Sequence, residues 1–253
     1  MGGIVLITGA TSGIGKACAV KFAQNGFDVI ITGRRKDRLD HLKKEIESKY
    51  KIKVLVLNFD VRNKDKVQHA LDSLEAKWKN IDVLVNNAGL ALDLKPIQEG
   101  DFNDWDTMID TNIKGLLYMS RMVSELMIIN RSGHIINIGS IAGKEVYPSG
   151  NVYCATKHAV DGLTKAMRID LMKHSIKVTQ IAPGAVETEF SEVRFRGDNL
   201  RAKKVYDGYK PLSGKDVAEA VFYVTTLPPQ VNINDLVIMP MAQANATVFH
   251  KIS

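Results

Sequence analysis

The chain has 253 residues, 45% hydrophobic and 25% charged, which fits one globular α/β domain whose core needs no disulfide or metal. A net charge of +6 raises the question of nucleic acid, but the basic clusters are short and mixed with acids and the aromatics are dispersed, which argues against such a partner. No apolar run reaches membrane-span length, the only cysteines are Cys18 and Cys154, no metal-ligand spacing occurs, and no basic leader precedes the first strand; the expectation is a cytoplasmic protein without metal.

Residues 4–7 form a continuous β-branched apolar run, as a central parallel strand covered on both faces requires. The run leads into Thr8-Gly9-Ala10-Thr11-Ser12-Gly13-Ile14-Gly15 and an amphipathic segment, 16–25. Strand, glycine-rich turn and helix together make a pyrophosphate cradle, because glycines allow close backbone approach and the helix N-terminus presents free N–H groups. A second strand, 27–32, ends in Gly33-Arg34-Arg35, where a nucleotide-binding βαβ unit faces the adenosine ribose. An acid there would take a 2′-hydroxyl, whereas arginine suits a 2′-phosphate, so Arg34 and Arg35 favour NADP(H) unless they only open the charged helix 36–49. A third strand, 53–59, is closed by Asp60-Val61; the Asp60 carboxylate can accept from an adenine amino group, cap the helix beginning near Asn63, or do both. A helix over 67–78 precedes a fourth strand, 81–85, which ends in Asn86-Asn87-Ala88-Gly89 at the carboxyl edge where ligands collect.

Residues 105–130 read as a helix in two parts with Asn112 near the junction, either bonding backbone locally or marking a distortion that frees a carbonyl. A fifth strand, 135–138, precedes Ser140, and a long helix, 152–172, carries Tyr153 and Lys157. Four residues apart, the phenol and the ammonium share a helix face, and a nearby ammonium favours phenolate, the state a general base near neutral pH needs. The Ser140 hydroxyl can hold a substrate oxygen beside that phenol. A sixth strand, 177–181, ends near Pro183-Gly184. From 188 to 212 the periodicity fails among many arginines and lysines, which predicts a lid over the substrate side. A helix over 216–226, a strand over 236–239 and an apolar tail complete the chain; the tail is expected to pack on its own domain or on a second subunit. The strand–helix alternation predicts a single domain, 1–253: a Rossmann-type doubly wound parallel sheet of about seven strands with helices on both faces.

Taken in order, the turn 8–15, Asn86 to Gly89, Ser140, Tyr153-x-x-x-Lys157 and Pro183-Gly184 resemble the short-chain dehydrogenase/reductase family along essentially the whole chain. The resemblance implies hydride exchange between nicotinamide and a carbonyl or alcohol in a homotetramer. It assigns Tyr153 as acid/base, Lys157 as its modulator and ribose ligand, Ser140 as substrate-oxygen holder and Asn112 as keeper of a relay water. Gly9, Ser12, Gly13, Ile14 and Gly15 match the pyrophosphate turn, Asp60 and Val61 the adenine side, and Asn86, Asn87, Ala88 and Gly89 the adenosine ribose. Pro183, Gly184, Ala185, Val186 and Thr188 fall beside the nicotinamide carboxamide.

Gly33-Arg34-Arg35, 150–153, 188–195 and 231–234 further look like the NADP-dependent 3-hydroxy acid dehydrogenases, a subgroup with serine, allo-threonine and malonic semialdehyde activities. Asp93 departs from that pattern where a glycine is expected. A small 3-hydroxy acid substrate needs a cation for its carboxylate, and Arg194 is the candidate, with a solvated lid residue as the alternative. Two other readings remain: a reductase of bulkier uncharged or carrier-bound carbonyls, and a non-catalytic NADP(H) sensor, against which the full Ser140, Tyr153, Lys157 set argues.

Overall fold

The computed structural model describes residues 2–252. Its seven parallel strands run β3-β2-β1-β4-β5-β6-β9. They are β1 (Ile4–Ile7), β2 (Asp28–Gly33), β3 (Val54–Asn58), β4 (Ile81–Asn86), β5 (Gly133–Ile138), β6 (Ile176–Pro183) and β9 (Asp235–Ile238). The two remaining strands, β7 (Val186–Glu187) and β8 (Leu212–Ser213), pair with each other and close the base of the segment between them. The doubly wound sheet predicted from the alternation is therefore the fold.

Strand alternation explains the two layers. Val5, Ile7, Val29 and Ile31 face one side and pack with α1 (Gly13–Gln24), α2 (Lys36–Lys49) and α9 (Gly214–Thr225) through Phe22, Leu42 and Val221. Leu6, Ile30 and Leu84 face the other and meet α3 (Lys64–Asp72) and α5 (Leu116–Asn130) through Val67, Leu71, Met119 and Met127. Each of these side chains is at most a few per cent exposed, and full burial contributes roughly 1.5–3 kcal/mol apiece for residues of this kind. The strand order reverses between β1 and β4, and a crevice opens at their carboxyl ends, the usual ligand position in such sheets.

Two expectations shift, the two-part helix is found, and the open alternative for the tail is decided. The helix expected over 67–78 stops at Asp72, where the Ser73 hydroxyl bonds back to the Ala70 carbonyl (2.9 Å), and only a short turn returns to bury Trp78. The helix over 105–130 divides into α4 (Phe102–Ile109), a π-helical turn Asp110–Gly115 and α5, with Asn112 inside the widened turn. The aperiodic stretch 188–212 contains two one-and-a-half-turn helices, α7 (Glu189–Arg194) and α8 (Asn199–Lys204), capped by Thr188 and Asp198. The tail folds onto its own chain: Phe249 stacks on Tyr209 with ring centroids 5.0 Å apart, and Ile252 N–H donates to the Gly208 carbonyl.

Candidate active site

A cleft of about 540 Å³ runs along the carboxyl edge of the sheet, from Arg34 and Arg35 past the glycine turn to Ser140, Tyr153 and Arg194. Gly9 and Gly13 have φ of +68° and +53°, and a Cβ on Gly13 would press on Thr188 at 3.2 Å. Only glycine makes this turn without strain. Ser12 forms no side-chain cap and the first turn of α1 has no acid, so its leading N–H groups face the cleft undiverted. Gly15 lies beneath: a Cβ there would meet the Asn87 amide and the Gly9 carbonyl, both at 2.5 Å. It brings turn and β4 loop together without lining the cleft.

The near wall comes from β4 and its loop. Asn87, Ala88 and Gly89 line the cleft, and the Thr8 hydroxyl accepts from the N–H groups of Asn87 and Ala88. Asn86 does not join them. β4 runs one residue further than predicted, and alternation turns Asn86 to the face of Leu84, under α5. There its amide donates to Ser120 (2.8 Å) and Asn137 (2.9 Å) in a buried polar network. Asp60 and Val61 line the cleft as well. Asp60 is not the helix cap, which is Asn63; its carboxylate is gripped by Arg62 (Nη2–Oδ2 2.7 Å).

Tyr153, Lys157 and Ser140 converge because α6 (Asn151–Leu171) begins against the turn that follows β5. All three are nearly buried, at 9%, 7% and 9% exposure. The Lys157 ammonium donates to the Ile138 carbonyl (2.9 Å), and burial pulls its pKa down to about 8. It stands 5.9 Å from the Tyr153 ring centroid, whereas the Arg194 guanidinium stands 5.1 Å from it. Burial pushes the Tyr153 phenol up, opposed by the Arg194 charge and the Ser140 hydroxyl. The Arg194 guanidinium thus stands nearer the Tyr153 ring than the Lys157 ammonium does. Asn112 lies behind this group, joined to both backbone groups of Leu90 (2.9 and 2.8 Å) and to the Thr156 hydroxyl (3.0 Å). It ties the β4 loop to α6 rather than bonding its own helix.

Pro183, Gly184, Ala185, Val186 and Thr188 line the opposite side of the cleft. Arg194 projects from α7 between the rings of Phe190 (5.0 Å) and Tyr147 (5.9 Å) and donates to the Tyr147 hydroxyl at 2.9 Å. Its buried Nε has no partner, and among the described residues it forms no ion pair with a carboxylate. Asp93 explains its own departure: it sits at φ +53°, a conformation that favours glycine, and its carboxylate bonds its neighbour Leu94 N–H and pairs with Lys95. Local bonding of this kind is how aspartate tolerates that region. Tyr147, Glu189 and the tail residues Gln243 and Phe249 also line the cleft and were not picked out from the sequence. Their only signal lay in contacts between distant segments.

With this geometry the comparisons with known proteins agree. The profile described as short chain dehydrogenase matches residues 3–199. The chain belongs to that family. It is 50% identical over 244 residues to the NADP-dependent 3-hydroxy acid dehydrogenase YdfG of Escherichia coli (strain K12), covering 96% of this chain and 97% of that one. It is 46% identical over 245 residues to sulfoacetaldehyde reductase 2 of Chromohalobacter salexigens, covering 96% of both. Among solved structures, the closed form of serine dehydrogenase complexed with NADP⁺ superposes with a TM-score of 0.93 at 48% identity, covering 99% of this chain and 100% of the other. As a short-chain dehydrogenase, the chain carries its Tyr-x-x-x-Lys pair at the mouth of α6, facing the glycine turn across the cleft. Among the described residues no helix is long and apolar enough to cross a membrane, and no group of three potential metal-ligating side chains occurs.

Proposed function

We propose that this short-chain dehydrogenase interconverts a small 3-hydroxy acid, of the serine, allo-threonine or 3-hydroxypropionate type, with its 3-oxo acid, using NADP(H). The observation that carries the substrate class is Arg194: a guanidinium held among three aromatic rings, with a buried Nε unbonded and no carboxylate partner among the described residues. A half-buried cation without a counter-charge favours an anionic ligand beside it, which supplies that charge. The residues fit the cofactor, because the uncapped α1 start and the glycines at positive φ leave backbone space and donors for a pyrophosphate.

When bound, NADP(H) accepts or returns the hydride. The chain's own residues do the rest. Gly9, Ser12, Gly13 and Ile14 hold the pyrophosphate, Arg34 and Arg35 the 2′-phosphate, Asp60 and Val61 the adenine, and Asn87 to Gly89 the ribose. Ser140 holds the substrate β-oxygen while the Tyr153 oxygen takes its proton in oxidation and returns it in reduction. Lys157 holds the nicotinamide ribose, and Asn112 keeps the loop after β4 against α6 so that the proton path stays aligned. Arg194 and the Tyr147 hydroxyl orient the carboxylate, and residues 188–212 close over it as a lid on a single domain. A homotetramer is supported by exposed apolar side chains such as Ile109, Leu117, Ile169 and Met172, and a cytoplasmic setting by two free, buried cysteines.

Initial rates with NADP⁺ and NAD⁺ on L-serine, L-allo-threonine and 3-hydroxypropionate test the reading. Arg194→Ala is expected to raise KM for these acids by about 10- to 100-fold, the loss of a charge-assisted hydrogen-bonded pair. An unchanged KM sinks the carboxylate role. The sulfoacetaldehyde reductase relative favours a second anion class, and sulfoacetaldehyde in the same panel separates sulfonate from carboxylate preference.

A further inference from the structure

At the adenosine end of the cleft stands a carboxylate that the proposed chemistry does not use. Glu189 opens α7 and accepts from Arg35 (Nη1–Oε2 2.8 Å) and from Arg38 (Nη1–Oε1 2.6 Å). The same Arg35 donates through Nε and Nη2 to the Thr11 hydroxyl (3.1 and 2.6 Å) and through Nη2 to the Ser12 hydroxyl (3.0 Å). Arg35 is thereby fixed beside the glycine turn, with one edge turned to the carboxylate. Burial works against the charge on Glu189, but the hydrogen bonds from Arg35 and Arg38 outweigh it and hold the carboxyl below its usual range. The pair is not sealed: the Arg35 and Glu189 side chains are 40% and 34% exposed, so an incoming anion can reach them.

A carboxylate that takes one bond from each of two guanidiniums occupies the kind of position a phosphate monoester takes, with two of its oxygens on arginine forks. We propose that Glu189 is an internal competitor for the 2′-phosphate of NADP(H) and so sets the strength of the preference for that cofactor over NAD(H). The inference rests on the reading of Arg34 and Arg35 as the 2′-phosphate site. A phosphate reaching Arg35 either displaces Glu189 or lies beside its charge. Both raise the free energy of the phosphate-bound form, and neither touches a cofactor that carries only a 2′-hydroxyl. The residue is thus a specificity determinant contributed by the far side of the cleft, 154 positions from the arginine it holds.

Glu189→Gln tests this, since it keeps the side-chain length and removes the charge. NADPH and NADH binding are titrated by nicotinamide fluorescence, and adenosine 2′,5′-bisphosphate and 5′-AMP by calorimetry, so that no turnover is involved. Kd for NADPH and for the bisphosphate is expected to fall about tenfold, with NADH and 5′-AMP changed by less than about twofold. An unchanged NADPH Kd overturns the proposal. So does parallel weakening of NADPH and NADH, which marks Glu189 as a strap across either cofactor. Glu189→Ala repeats the measurement without the amide, and thermal melting of both variants checks the fold. Arg35→Gln separates the two levels. If it leaves the NADPH-to-NADH preference unchanged, the phosphate is not read at Arg35 and both readings fail. If it abolishes the preference while Glu189→Gln changes nothing, only the competitor role is lost.

Discussion

Lys157 is a charged group held against its solvation, and its removal should stabilise the fold while stopping the chemistry. Burial lowers its pKa from the ordinary 10.5 to about 8. At about 1.4 kcal/mol for each factor of ten in proton affinity, keeping the ammonium buried costs about 3 kcal/mol below pH 8. The sign follows from proton counting. Between pH 8 and 10.5 the unfolded chain binds the proton and the folded chain does not, so the wild type gains stability as pH rises through that window. Lys157→Met keeps the length and drops the charge, but leaves the Ile138 carbonyl without its 2.9 Å donor. That loss costs roughly 1–2 kcal/mol. The net gain at pH 7 is about 1–2 kcal/mol, or about 2–8 °C in Tm for a domain of this size. Calorimetric melts of both proteins from pH 6.5 to 10.5 would show the variant ahead below pH 8 and its lead shrinking, then reversing, above it. A variant less stable at pH 7, or a Tm difference independent of pH, would refute the assignment of Lys157 as a strained buried cation.

Tyr153→Phe should lower kcat/KM by at least about 10²-fold, as expected when a positioned acid/base is removed, while NADPH Kd moves less than about twofold by fluorescence titration. Loss of both would make the tyrosine structural. Arg196 grips both carboxylate oxygens of Asp104 (2.8 and 2.7 Å), and the backbone of Asp93 donates to the Arg194 carbonyl, fastening α7 and α8 to the opposite wall of the cleft. Asp104→Asn should therefore speed tryptic cleavage after Arg196 and Arg201 several-fold. Global Tm should fall by only a few degrees, since an ion pair with a solvent-exposed arginine is screened and adds little to the stability of the whole fold. Unchanged cleavage rates would place the hold on that segment in the tail and Tyr206 instead.

What could be read from the chain was what neighbours in sequence decide. The β-branched runs, the glycine turn and the Tyr153-to-Lys157 spacing are local patterns, and the sheet and the site assembled from them follow. Direction and partnership were not local. Asn86 differs from Asn87 only by the parity of one strand residue, and that parity sends it under α5 to Ser120 and Asn137. The i,i+4 rule brings Lys157 near Tyr153, yet its ammonium bonds the carbonyl of Ile138, on another element, and a guanidinium from beyond β7 comes nearer to the tyrosine ring. Arg34 and Arg35 read as a candidate phosphate site in the sequence; that an acid 154 residues downstream engages Arg35 did not show there. These cases share a cause. The far wall of the cleft is made by the segment after β6 and by the tail, whose weak periodicity says little about where they dock. Their polar and aromatic side chains decide the charge balance along the cleft: Arg194 brings a positive charge with no carboxylate partner among the described residues to the proposed substrate end, and Glu189 a negative one to the proposed phosphate end. On the proposed reading, the sheet positions the reaction and this wall sets which anions are admitted to each end of it.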